Sequence, residues 1–154
     1  HKNMTILMAW ASGLEQFDEL GADLCDGVYF GAQYWHTVDA PLNKELVKRT
    51  ADKLKIVPNY SLAGSYVCTK ILIDGIVKAG TVDQKAVIAA LEGMKFDGLT
   101  GSEEIRKADH QVVKDYYLLK GKAKSKMKDA ADYVDVVSSG KSFLPVDKTG
   151  CKLA

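Results

Sequence analysis

Runs of apolar and polar residues divide the chain into strand-like and helix-like pieces. Residues 4–10, MTILMAW, are continuously apolar over a strand's length, the pattern of a strand buried on both faces. Ser12 and Glu15 then stand three apart like a capping box. Leu14, Phe17 and Leu20 keep helical spacing, and Gly21 stops the helix. Residues 26–35, DGVYFGAQYW, predict a second strand, rich in aromatics. Asp39 and Pro41 open a helix that runs to Lys55, with Leu42, Leu46, Val47 and Leu54 on its inner side and Pro58 as the break. Residues 61–80 predict a longer helix, apolar around most of its circumference and therefore packed on most sides. Thr81 and Gln84 suggest another capping box, for a helix through Val87, Ile88, Ala90 and Leu91 that ends at Gly93. The segment FDGLTG follows as two glycine turns, at Gly98 and Gly101, and residues 111–120 read as one strand. The last thirty residues lack periodicity. Their lysines, from Lys120 to Lys128, suggest a solvated turn or short helix.

The order strand, helix, strand, three helices, strand, tail is an α/β pattern. Three strands are few for so many apolar helix faces, which suggests part of a larger assembly. A helical domain with minor strands is the rival reading. The chain has 154 residues, 47% hydrophobic and 27% charged, the composition of an ordinary globular domain. A net charge of +1 argues against nucleic acid as a partner. No run reaches the length of a membrane span, and the opening residues do not read as a signal peptide. Cys25, Cys68 and Cys151 have no metal-ligand spacing. Cys68, in an apolar run, is expected to be buried, and a Cys25–Cys151 bridge is the pairing to test.

Recognised catalytic and nucleotide-binding motifs are missing: no P-loop, no G-x-S-x-G, no H-E-x-x-H. His36 with Asp39 and Asp109 with His110 are the nearest approaches to an acid–base pair, and neither has a nucleophile at a matching spacing. The expectation is a protein that is not an enzyme and needs neither metal nor cofactor. A small hydrolase using His36 or His110 is the competing class. Aromatic residues carry more promise. Trp10 closes its strand and leads into the helix start at Ser12, where free N–H groups suit a carboxylate. Tyr66 lies near the start of the long helix. Pockets in open α/β folds form at such places, so Trp10, Ala11, Ser12 and Tyr66 are the candidate ligand-binding residues, with core packing as the alternative.

Several strings are more specific together than apart. GADLCDGVYF is followed by NKELV, by PNY, by YVCTKILIDGIVKAG, by VIAALEG, by FDGLTG and by DHQ, in that order, over roughly residues 20–120. The series resembles the carboxyl-terminal half of branched-chain amino-acid-type solute-binding proteins of ABC importers. The terminal TGCK resembles members that bind aromatic or other small carboxylates. The resemblance implies the type I periplasmic-binding-protein fold: two doubly wound α/β lobes joined by a three-strand hinge, of which this chain is about half. It implies that residues 1–27 end the carboxyl-terminal lobe. Residues 28–110 would supply amino-terminal-lobe helices with hinge crossovers, and residues 111–154 would return to the carboxyl-terminal lobe and tail. Asp109 and His110 become hinge-side anchors. The implied role is periplasmic or extracytoplasmic capture of a small molecule in an interlobe cleft that closes like a Venus flytrap. Its partners would be the missing amino-terminal half of the same protein and an ABC permease. A ligand-sensing domain of the same fold is the alternative, and a non-binding remnant that dimerises is another. The stretch AWASG holds no acidic residue to meet an ammonium group. That favours a carboxylate or aromatic acid over an amino acid as ligand.

Overall fold

A computed structural model describes residues 4–10, 13–141 and 143–153. It holds two sheets. The larger has the order β1 (Leu7–Met8), β2 (Tyr29–Ala32), β6 (Tyr116–Gly121), β7 (Val134–Gly140). β1 runs parallel to β2, whereas β2–β6 and β6–β7 are antiparallel. The smaller is an antiparallel set of β3 (Lys95–Gly98), β4 (Gly101–Ile105) and β5 (Val112–Val113). The helices are α1 (Leu14–Leu20), α2 (Ala22–Cys25), α3 (Pro41–Leu54), α4 (Tyr60–Ala79), α5 (Gln84–Leu91) and the short α6 (Val146–Thr149).

The α/β class is therefore correct, but the described strands number seven, not three. FDGLTG is not a pair of loose turns. It is the heart of a hairpin, with Gly98 opposite Gly101 and only Leu99 and Thr100 between them. The strand expected over residues 111–120 is two strands in different sheets. β5 pairs with β4 and β6 pairs with β2, and the chain changes sheet at Lys114 and Asp115. The tail is not irregular either. β7 pairs along the full length of β6, with a register shift at Leu118/Leu119. Ser138 and Ser139, placed where a buried strand would carry valine, hid it from hydropathy. β7 is an edge strand, exposed beyond Val134, so it needs no apolar alternation.

The core of the larger sheet is aromatic. Phe17 of α1 sets its ring edge against Phe30 at 4.8 Å and Trp35 at 5.3 Å, and Tyr133 stacks on it at 5.7 Å. Leu119, 0% exposed, and Cys25 complete this cluster. Two glycines let the backbone close over it. A Cβ on Gly121 would stand 1.7 Å from the Cys25 carbonyl oxygen, and one on Gly31 would stand 2.3 Å from that of Ala9.

Around the helices the core is thinner: Tyr34, Leu46, Ala63 and Leu99, with Leu42, Tyr60 and Tyr66 half-buried beside them. α3 buries Asn43, Leu46 and Thr50, three positions on one face. Leu54, expected on that face, is exposed because α3 ends there, at a left-handed Lys55, short of Pro58. α4 packs on α5, where Leu91 covers Gly75. The rest of α4 departs from expectation. Leu72, Ile73 and Val77 are exposed, the last 74%, so an apolar circumference has not meant packing on most sides. Cys68 on the same helix is exposed too. All three cysteines are free, so the Cys25–Cys151 bridge is absent; Cys25 is buried and Cys151 exposed. β1 likewise shows Leu7 to solvent, because it is an edge strand with one neighbour among the described residues.

Local chemistry sets the helix starts. Asn59 caps α4, accepting from the Leu62 N–H at 2.9 Å. Asp83, not Thr81, caps α5, accepting from the Ala86 N–H at 3.0 Å, while the Thr81 hydroxyl accepts the Asp83 N–H. The capping box expected at Ser12 involves a residue outside those described. Glu15, its other half, takes a hydrogen bond from the Asn59 side chain.

Candidate functional site

The end of β1, the start of α1 and the start of α4 come together. Trp10, 48% exposed, meets Tyr60 edge-on with ring centroids 6.3 Å apart. Beside them, Gly13 lies so near Tyr60, Asn59 and the Glu15 carboxylate that an added Cβ would touch all three. Asn59 joins the two helix starts. Its carbonyl oxygen caps α4 and its amide holds Glu15. An aromatic pair, a carboxylate and two helix N-termini thus share one corner.

Of the expected ligand-binding residues, Trp10 lies in this corner. Ala11 and Ser12 lie outside the described residues. Tyr66 is elsewhere, on a different face of α4. Tyr60, Ala63, Gly64, Val67, Cys68 and Ile71 form the face that looks onto β5 and the β3–β4 hairpin. Leu62, Ser65, Tyr66, Thr69, Lys70 and Ile73 form the face towards α3. Six residues along a helix leave a net rotation of about 240°, so Tyr60 and Tyr66 cannot share a side. Tyr66 helps to line a mainly apolar groove of about 690 Å³ between α3 and α4, with Leu46, Thr50 and Leu54 opposite. Tyr60 is the residue sequence reasoning passed over. The pattern P-N-Y, a cap preceding an aromatic at the first helical position, was the available signal.

The expected acid–base pairs are engaged elsewhere. Asp39 is paired with Lys44 at 2.5 Å in solvent. Asp109 takes two hydrogen bonds from the Arg106 guanidinium, at 2.8 and 2.5 Å, which hold its carboxyl below the usual carboxylate range. His110, with φ of 56°, turns its ring to Glu92 at 3.1 Å. His36 differs from these: among the described residues its Nδ1 is buried with no hydrogen-bond partner. Burial pushes its pKa below the ordinary histidine value, while Asp129 and Asp132 pull the other way. Its backbone is well held. Asn43 donates to the carbonyls of His36 and Val38 at 2.9 and 2.8 Å and accepts from the Tyr34 hydroxyl at 2.7 Å. No group of three or more potential metal ligands occurs among the described residues.

Two segments join the larger sheet to the helices and hairpin: residues 33–40, from β2 into α3, and residues 114–115, from β5 into β6. Comparison with known proteins shows the class to which this α/β frame belongs. The periplasmic binding protein family model matches residues 1–126, and the chain belongs to that family. Among solved structures, it is similar to an amino acid ABC transporter substrate-binding protein from Pseudomonas fluorescens Pf-5. That likeness has 51% identity and a TM-score of 0.96, and covers 99% of this chain and 41% of the other. It is also similar to an ABC-type branched-chain amino acid transporter from Rhodopseudomonas palustris CGA009, at 25% identity and a TM-score of 0.74, over 88% of this chain and 36% of that one. A solute binding protein from Rhodopseudomonas palustris BisB5, in complex with 3,4-dihydroxy benzoic acid, shares the fold at 21% identity and a TM-score of 0.71, over 84% of this chain and 34% of that one. The chain thus spans well under half the length of these structures. No curated protein matches it. The fold is that of type I periplasmic binding proteins, consistent with about half of one, and the family's role is solute binding.

Proposed function

We propose that this chain serves as the carboxyl-terminal half of an extracytoplasmic solute-binding protein of an ABC importer. An amino-terminal half of the same protein would complete two lobes, and a membrane permease would receive the solute. Residues 1–27 and 111–154 would belong to the carboxyl-terminal lobe, and residues 28–110 to the amino-terminal lobe with its crossovers. The solute is a small carboxylate, an aromatic acid or an amino acid, held in the cleft between lobes.

The observation that supports this most is the Trp10–Tyr60 contact, because it sets two half-open aromatic faces where a strand end meets a helix start. Trp10, Ala11 and Ser12 remain the proposed contacts on one side. Tyr60 joins them, and Tyr66 would act from the α3–α4 groove. Glu15 bears on the choice of solute. No acid occurs at positions 9–13, which favours a carboxylate or aromatic acid, yet Glu15 stands against Gly13 and could meet an ammonium group.

A thermal-shift screen of the two-lobed protein against carboxylates, aromatic acids and amino acids tests this. Stabilisation by aromatic acids or small carboxylates, weakened by Trp10→Ala and Tyr60→Ala, is the expected result. Stabilisation by amino acids alone would refute the preference, and Glu15→Gln should then remove it. No stabilisation by any class would refute capture of these solutes.

A further inference from the structure

Where the chain crosses between its two sheets, buried and half-buried polar groups are linked by hydrogen bonds that do not involve the Trp10–Tyr60 pair. Lys114, on the second crossover, donates to the Gln33 carbonyl on the first at 3.1 Å, across 81 positions of sequence. Its neighbour Asp115 donates its backbone N–H to the Thr100 hydroxyl oxygen at 3.2 Å. Thr100 lies in the two-residue hairpin turn and donates in turn to Glu103 at 2.9 Å, and its own N–H reaches the same carboxylate oxygen at 3.0 Å. Glu103 is 3% exposed, a charged group kept inside to receive these bonds. Lys114 and Glu103 both line a cavity of about 180 Å³ beneath α4, with Gln33, Thr100 and Val112.

We infer that Lys114 and Thr100 are positioning residues that latch the two crossovers to each other and to the β3–β4 turn, and so set the relative placement of the parts that close on solute. The consequence for solute rests on the reading above; the latch itself does not. Its geometry is selective. Lysine brings a single long cation to a main-chain carbonyl, whereas most surface lysines lie along solvent. Burial lowers the Lys114 pKa, and the Glu103 charge opposes that fall. The ammonium is partly withdrawn from water, so water would replace the Gln33 carbonyl only in part. The hairpin turn, fixed through Glu103, is a rigid abutment for the second crossover.

Hydrogen exchange on this 154-residue chain tests the latch without any solute. The amides to read are Asp115, which donates to Thr100, and Val38, which donates to Trp35 within the first crossover. In Lys114→Met both should exchange about tenfold faster, and in Thr100→Val the Asp115 amide should do so, while the Leu119 amide in the sheet core is unchanged. Lys114→Arg, which keeps a cationic donor, should restore the slow rate. Unchanged exchange at Asp115 and Val38 in both variants would overturn the latch, as would equal acceleration at Leu119, the mark of general destabilisation. In the two-lobed protein, Lys114→Met is expected to weaken solute binding by about three- to tenfold, with recovery in Lys114→Arg. Undiminished affinity would overturn the effect on capture. A wild-type protein that binds no solute, with the exchange result intact, would refute the solute reading and leave the latch in place.

Discussion

The two ends of the crossovers make a contrast. On one side, the β1–β2–β6–β7 sheet closes its core with large rings: Phe17, Phe30 and Trp35, sealed by Leu119. On the other, three helices surround a small core of Tyr34, Leu46, Ala63 and Leu99, and leave Leu72, Ile73, Val77 and Ile88 in solvent. The sheet unit buries these rings at its centre, while its periphery leaves Leu7, Leu24 and Val137 exposed. The other has more apolar surface than partners among the described residues. The difference teaches that hydrophobic patterning reports a residue's intended surroundings, and that a helix can carry the pattern of burial without being buried.

The contrast can be broken most directly by truncation. Phe17→Ala or Leu119→Ala should cost about 3–5 kcal/mol in urea unfolding, because each leaves a closed cavity. Val77→Ala in the same chain should change stability by no more than about 0.5 kcal/mol. Equal costs would mean that α4 is covered in solution. Backbone approach sharpens the contrast next. Gly121→Ala should cost about 2–3 kcal/mol, since its Cβ meets the Cys25 carbonyl. Gly140→Ala, which meets nothing within 4 Å, should be near neutral. In the helical unit, Asn43→Leu should cost about 2 kcal/mol, because it strands the Tyr34 hydroxyl and two carbonyls. A smaller cost there would show the clip to be dispensable.

Titration gives the smaller effects. Lys122 donates to Asp132 at 2.6 Å and holds its carboxyl below the usual range. That stability is present above the ordinary aspartate pKa and is lost as pH falls through the lower, folded value. Asp132→Asn should flatten the acid limb of a stability–pH curve. His36 acts in a higher window. Its folded pKa is depressed by burial, so the unfolded chain takes up a proton first, and stability falls as pH drops below about 6.5. His36→Gln should remove that slope; a slope that persists would assign it to other groups.

What could be read in the sequence follows the same division. α3, α4 and α5 were legible because Pro41, Gly80 and the 3.6-residue spacing act within a few positions. β7 was not, because an edge strand exposed beyond Val134 has no hydrophobic signature. The break at Lys114 was hidden because both flanking segments favour strands, and only their different partners separate them. At the candidate site, Trp10 could be picked out by its place at a strand end. Tyr60 could not be singled out without knowing which face of α4 meets Trp10. Nor did spacing reveal that Glu15 folds back to Gly13, because Asn59, 44 positions away, holds it there.

The β2–β6 pairing has a further consequence, for the time course of folding. Its partners are roughly ninety positions apart, and the whole helical unit lies between them as an insertion. During synthesis β2 must wait, with β1 on one side and its other edge open, until residue 121 has emerged. The helices and the β3–β4 hairpin, whose contacts are short in sequence, can form in that interval. By doing so they shorten the effective loop that the sheet has to close, and they lower its entropic barrier.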